Sequence, residues 1–321
     1  MNRNGLTVTM VFLAESANYG EGIGNITSLK KMTRGDNKQY TYISRQALRY
    51  SLVQQMGWDK TPVDAKSGVV QFAPSATIAE FPEIDLFGYM KTTAKDDKQS
   101  GGASTRNAVA RLSNAISLEP YQSDLDFLTN MGLASRIDAD NGIAQSEIHR
   151  TYYRYTVSVD LERVGIDGDI EISKEEKAER VKALLDGIRY LYRDIKGRRE
   201  DLSPVFIIGG VYERKNPFFE NKVKIEKNRL SVEMIKELTD SDSSIGENTF
   251  AGVVSEMFDN DKEIKDVLGA ETIGDVFGHI KEEVDRYYGY SVTRNLLITV
   301  SQAASSSRKR SPCRHIQQSW E

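Results

Sequence analysis

An α+β fold of the split βαβ, ferredoxin-like kind is predicted by three observations. Leu6, Val8, Met10 and Phe12 alternate with polar or smaller residues, as do Tyr153, Tyr155, Val157, Val159 and Leu161, which is the period of a strand with one buried face. Two other segments, Ser44 to Met56 and Ser173 to Ile195, repeat apolar residues at helical spacing behind a serine that caps the first turn. These periods succeed one another as strand, helix, strand, large insertion, strand, helix, strand. At 321 residues the chain exceeds the usual single domain, which leaves room for insertions or a second domain.

The first strand leads into Ala14 to Thr41, a stretch with Gly20, Gly22, Gly24 and Gly35 that reads as a long functional loop. Ser44 opens a helix in which Leu48, Leu52 and Met56 form the buried side and Arg45 and Arg49 a basic one. Ile84 to Met90 is a short apolar segment read as the second strand, with Gly88 permitting close backbone approach. Lys91 to Asn107 has no aliphatic residue larger than alanine and projects from the body as the start of an excursion that ends at Ile148. After the 153–161 strand, Ser173 with Glu176 forms a capping box, and Val181, Leu184, Leu185, Ile188, Leu191, Tyr192 and Ile195 trace one helical stripe. Leu202 to Val211 is a buried strand ending at Gly209-Gly210, with Pro204 at its start, where a missing donor is tolerated. Ile273, Val276, Phe277, Ile280, Val284 and Tyr287 give a last amphipathic helix.

Composition excludes whole classes. The chain is 39% hydrophobic and 28% charged, which suits a soluble globular protein and neither a disordered nor a collagenous one. Thr7, Thr9 and Glu15 interrupt its most apolar N-terminal run, so neither a membrane span nor a signal peptide is expected. A single cysteine, Cys313, and three histidines disfavour disulfides and zinc; a reducing cytoplasm fits, with no cofactor and no metal. The net charge of −4 hides two opposed regions. Ala14 to Gly57 holds six bases against three acids, whereas Asp240 to Tyr290 holds thirteen acids against four bases. Ser305 to His315 is a basic, serine-rich tail, either a solvated terminus or a nucleic-acid or localisation patch.

Several chemistries fail on spacing. Gly20, Gly22 and Gly24 run G-x-G-x-G with no helix opening behind them, unlike a dinucleotide loop, and no phosphate-binding P-loop sequence occurs. His149, beside Arg150 and Arg154, is an imaginable acid/base for RNA cleavage, though a surface or RNA-contacting histidine is the ordinary reading. The pairs Asp96-Asp97 and Asp124/Asp126 are metal candidates that polar loops more often leave solvated. The first strand offers Thr7 and Thr9 where a sheet that stacks RNA bases offers aromatics. What remains is a basic constellation of Lys30, Lys31 and Arg34 with Arg45 and Arg49 at a helix N-terminus capped by Ser44, an arrangement suited to phosphates.

The runs Asn18-Tyr19-Gly20, Gly24-Asn25, Leu29-Lys30-Lys31, Tyr42 to Arg49, Asp85 to Tyr89 and Ala108 to Tyr121 occur in this order, followed by the glycine pair of the last core strand. Together they resemble the CRISPR-associated RAMP superfamily, specifically the backbone subunit of type I-B Cascade-like surveillance complexes, the Cst/DevR autoregulator group. The resemblance spans about Leu6 to Tyr290; Ser291 to Glu321 lies outside it. It implies an RRM-like palm at 1–90 and 152–225, an inserted thumb and finger region at 91–151, an acidic helical region at 226–290 and a flexible tail at 291–321.

The function implied is non-catalytic. Copies polymerise along CRISPR guide RNA, hold its phosphates, and present the guide for pairing with a target DNA strand, so that the protein supplies affinity and the guide supplies sequence. Carried over residue by residue, the RNA-binding positions are Asn18, Asn25, Lys30, Lys31, Arg34, Ser44, Arg45, Gln46 and Arg49 in the loop and helix. Phe87 and Gly88 match the palm segment near the guide, and Arg106, Arg111 and Ser113 match the inserted region. The implied partners are the guide RNA, further copies of the chain, smaller RAMP subunits, a large PAM-reading subunit, and a recruited helicase-nuclease or transposition protein. Alternatives left open are an endoribonuclease using His149 and a DNA-binding autoregulator.

Overall fold

The computed structural model describes residues 4–65, 68–93 and 102–289. The candidate carboxylate pair Asp96-Asp97, the tail, Cys313 and His315 lie outside these residues. The chain is α+β, and its principal sheet has the strand order Thr249–Val253, Phe206–Tyr212, Gly5–Ala14, Thr151–Asp160, Ala115–Ser117, Gln39–Ile43, Lys31–Thr33, with Ala110–Leu112 also paired to Thr151–Asp160. All these pairings are antiparallel. Gly5–Ala14 is the central strand, with Leu6 opposite Val159 on one side and Val211 on the other.

Alternation decides which face each side chain takes. Leu6, Val8, Met10 and Phe12 join Tyr153, Tyr155, Val157 and Val159 beneath three helices, Arg45–Gln55, Lys174–Arg189 and Ile273–Tyr288, in the larger core. Phe12 stacks on Tyr153 and meets Tyr155 edge-on, both with centroids 5.7 Å apart. The opposite face was expected to be solvated, but it is buried. Thr9 and Thr156 share a 2.8 Å hydroxyl bond there, and Val11, Tyr152, Phe206 and Ile208 pack in a second core with residues from Phe219 to Ile264. The glycine pair makes close approach possible, since a Cβ on Gly210 would run into the Asn248 carbonyl.

Both expected helices form behind their serines. Ser173 accepts from the Glu176 amide at 3.2 Å, but the Glu176 carboxylate turns to Arg180 instead of closing the capping box. That helix stops at Arg189, and Tyr192–Ile195 is a strand paired with Arg198–Asp201, so the stripe expected through Ile195 spans two elements. Three further corrections concern the early chain. Ala14 to Thr41 is no loop; it contains the strands Tyr19–Ile23, Ile26–Leu29 and Lys31–Thr33, each too short to display a period. Ile84–Met90 is not the second strand. Pro82–Phe87 is a helix with proline in its first turn, broken by Gly88 at φ 74°, after which Tyr89–Thr93 pairs with Gly102–Arg106. The place beside Thr151–Asp160 belongs instead to Ala110–Leu112 and Ala115–Ser117.

The remaining excursion forms a hairpin, Asp124–Thr129 with Ile143–Ile148, that extends a second sheet through Ile26–Leu29 and Tyr19–Ile23. Phe127, Leu128, Met131, Leu133 and Ile137 on this hairpin are 61–78% exposed. The acidic region contributes the expected Ile273–Tyr288 helix, with Thr272 as its cap, and also the edge strand Thr249–Val253.

Candidate nucleic-acid interface

Ser44 has the extended backbone of a helix cap, and its hydroxyl accepts from the Ala47 amide at 3.3 Å. Asn18 holds this cap from below, its Oδ1 accepting from both the amide and the hydroxyl of Ser44 at 3.1 Å. Asn114 Oδ1 accepts from the Arg45 amide at 2.9 Å. Two amides of the first turn are therefore already satisfied, so the helix offers side-chain charge more than free N–H groups. Arg45, Gln46 and Arg49 stand exposed on its outer face.

Opposite them runs the edge strand Ala110–Leu112 with Arg111 exposed, and Phe87 and Ala108 close the floor. The cavity so formed is about 440 Å³ and brings together Arg45, Gln46, Arg49, Phe87 and Arg111, residues spread over more than sixty positions of sequence. None of the three arginines is in an ion pair among the described residues. A second cavity of about 680 Å³ shares Arg49, Phe87 and Ala108 with the first and continues past Gly88, Val69, Val70 and Met90. Gly88 is required at the junction, because a Cβ there would strike the Arg106 carbonyl and lie 2.7 Å from the Ala108 nitrogen. Phe87 is only 6% exposed and belongs to the larger core, with Trp58 at 6.5 Å, so it is a floor and not a projecting stacking platform.

The other expected residues are elsewhere. Lys31 forms an ion pair with Glu147 at 2.5 Å and lies over Tyr121, which ties the two sheets together. Lys30 is half-buried, its amide bonded to the Asn18 carbonyl at 2.6 Å. The Asn25 side chain is exposed at a strand turn while its carbonyl accepts from Gln145. Ser113 serves the backbone, accepting from the Thr156 amide at 3.0 Å. Arg106 is 5% exposed; its guanidinium pairs with Asp85 at 2.6 Å and donates to the carbonyls of Asp85, Arg163 and Ile166, which removes it from any surface. Arg34 sits at a hairpin turn over Tyr40, in a separate cavity with Arg154 and Lys224.

His149 is 6% exposed, and its Nδ1 is 2.8 Å from the Thr41 hydroxyl, which also meets the Tyr153 hydroxyl. Burial pushes its pKa below the ordinary value of 6.5. Sequence reasoning missed Asn114, Arg154 and Lys224. Arg154 alone left a signal, as an arginine inside the most regular strand of the chain. No group of three or more His, Cys, Asp and Glu residues among the described residues is placed to hold a metal, and no helix among them is long and apolar enough to cross a membrane.

A family model described as CRISPR-associated negative auto-regulator DevR/Csa2 matches residues 6–234. The chain belongs to this family. Within the DevR/Csa2 relatives, a CRISPR-associated protein Cas7/Cst2/DevR from Myxococcus xanthus (strain DK1622) is 28% identical over 165 residues, covering 46% of this chain and 54% of that protein. The chain thus spans about half the length of that curated relative. Among solved structures, a chain of a CRISPR RNA-guided surveillance complex, pre-nicking, matches with a TM-score of 0.55 at 11% identity, over 89% of this chain and 99% of that one. A chain of another CRISPR RNA-guided surveillance complex matches at 0.53 and 16%, over 88% and 99%. At these identities the likeness is one of fold.

Proposed function

We propose that this DevR/Csa2 family member is a non-catalytic subunit that coats CRISPR guide RNA and forms the backbone of a type I-B Cascade-like complex. The observation that carries the reading is the cavity where Arg45, Arg49 and Arg111 converge with no close ion pair among the described residues, Glu83 acting on Arg49 only at longer range. Such a site holds phosphates and reads no base edges, so it supplies affinity without sequence preference. The family match and the likeness to surveillance-complex chains support the same reading.

In this reading Gly5–Ala14, Ala110–Ser117, Thr151–Asp160 and Phe206–Tyr212, with the helices Arg45–Gln55 and Lys174–Arg189, are the RRM-like palm in its split βαβ order. The apolar hairpin between Asp124 and Ile148 is the surface offered to a neighbouring copy. The guide presented along the filament pairs with the target DNA strand, and cleavage belongs to another protein of the system. The burial of His149 favours this over a ribonuclease reading, since no substrate reaches an imidazole packed against Thr41 and Tyr121.

The test is the mass and nucleic-acid content of the chain co-expressed with a CRISPR array and its neighbouring genes. A large particle with several copies and one guide-sized RNA is expected. A nucleic-acid-free monomer or dimer that prefers duplex DNA of its own promoter would replace the proposal with an autoregulator, and cleavage of the CRISPR repeat by that species with an enzyme.

A further inference from the structure

Arg154 presents an unsolved problem of charge. It lies in the middle of Thr151–Asp160 and is 8% exposed. Its Nη1 donates to the Val223 carbonyl at 2.9 Å, but its Nε is sealed from solvent with no acceptor. No carboxylate among the described residues forms an ion pair with it; Glu220 acts only at longer range, and Arg34 opposes it. Burying a guanidinium with an unsatisfied donor and no counter-charge is costly, so the arrangement is that of a site lacking its anion.

The surroundings have the shape and charge of such a site. Arg154 faces a cavity of about 320 Å³ whose rim carries Arg34 and Lys224, both exposed, together with Tyr40 and Asp36. The Asp36 carboxylate is already engaged by the Tyr40 hydroxyl at 2.6 Å and the Lys38 amide at 3.1 Å, bonds that hold it ionised. Three cations against one anion leave an excess of positive charge. The donors come from three separate segments, and a tetrahedral oxyanion reaches several directions at once better than a planar carboxylate does. The two cavities share no lining residue and are linked only along the chain. The turn that bears Arg34 leads through Gln39–Ile43 to Ser44, about 16 Å of strand at roughly 3.3 Å per residue, a span that a few nucleotides of single strand bridge.

We propose that the cavity lined by Arg34, Arg154 and Lys224 is a second phosphate site, which takes one phosphodiester of single-stranded RNA against the buried Arg154 guanidinium. This rests on the RNA-coating reading above and extends it to the opposite face of the sheet.

The experiment is a titration of the full chain, labelled with ¹⁵N-arginine, with a short oligouridylate, following the Nε–H signal of Arg154 by NMR. Arg154→Lys assigns the signal by its loss; if that variant does not fold, the double variant Arg34→Gln/Lys224→Gln, altered only on the rim, identifies it by perturbation. The expected result is a saturable shift that tracks RNA binding, with the rim variant losing the shift and roughly threefold to tenfold in affinity at low salt. RNA that binds without moving the Arg154 signal overturns the site and leaves the coating function standing. Absence of any RNA binding removes both. A signal that moves with protein concentration or with a glutamate-rich peptide, and not with RNA, assigns the pocket to a carboxylate and overturns the phosphate proposal.

Discussion

Arg106 and Arg180 converge on the single carboxylate of Asp85, at 2.6 and 2.9 Å, with all three side chains buried; the carboxylate also accepts from the Gly165 amide, and the guanidiniums donate to the carbonyls of Ile78, Ala79, Asp85, Arg163 and Ile166. Removing one member strands the others. Arg106→Ala is therefore expected to destabilise the fold by about 3–5 kcal/mol in chemical denaturation while leaving the RNA affinity of the folded fraction unchanged. Arg45→Glu/Arg49→Glu has the opposite profile, with at least about tenfold weaker RNA binding and a thermal midpoint close to that of the parent, because exposed charges contribute little to stability. The sequence presents Arg106, Arg111 and Arg45 as equivalent cations; only the packing of Asp85 separates the interior one from the two that face the cavity. His149 gives a pH signature. Its folded pKa lies below 6.5, so the unfolded chain takes up the proton first and stability falls as pH drops below about 6.5. Thermal midpoints measured between about pH 5 and 7 are expected to decline toward acid, less steeply in His149→Gln.

At the level of elements, the Arg45–Gln55 helix and its cap were legible because the capping serine and the i, i+4 leucines are local signals. Ser44→Ala is expected to cost about 1 kcal/mol in denaturation and to weaken RNA binding as the Asn18 clamp loosens. The central strands were legible for the same reason. Pro82–Phe87 was not, since six residues containing Ile84, Leu86 and Phe87 fit a buried strand and a buried helix equally well. Nor were the short strands between Tyr19 and Thr33: Tyr19–Ile23 with Ile26–Leu29 and Lys31–Thr33 with Gln39–Ile43 are local hairpins of strands too short to show a period, and the pairing of Ile26–Leu29 with Ile143–Ile148 lies beyond any window of sequence. The groove was half legible. Arg45, Gln46 and Arg49 share one helix face, but the strand that brings Arg111 opposite them was expected in the wrong place.

Considered whole, the molecule segregates its surfaces by chemistry. The basic segment up to Gly57 supplies one wall of the groove, the apolar hairpin projects from the second sheet, and the acidic 240–290 region packs its last helix against the larger core. Replacing Phe127, Leu128 and Met131 by serine is expected to leave the monomer folded and to lower the number of copies per particle, which light scattering on the purified complex would read. Unchanged mass after that substitution would place the contact between copies elsewhere.

The central strand has a temporal consequence. Gly5–Ala14 is almost wholly buried, yet Ala14 pairs with Thr151 and Val11 with Phe206, so its neighbours are made long after it leaves the ribosome. At 5–20 residues per second the strand waits roughly 7–27 s for its first partner, exposing an apolar β-forming segment meanwhile. Synthesis is thus the interval in which this chain is most open to mispairing, and slow translation or chaperone shelter over that window governs how much of it reaches the folded state.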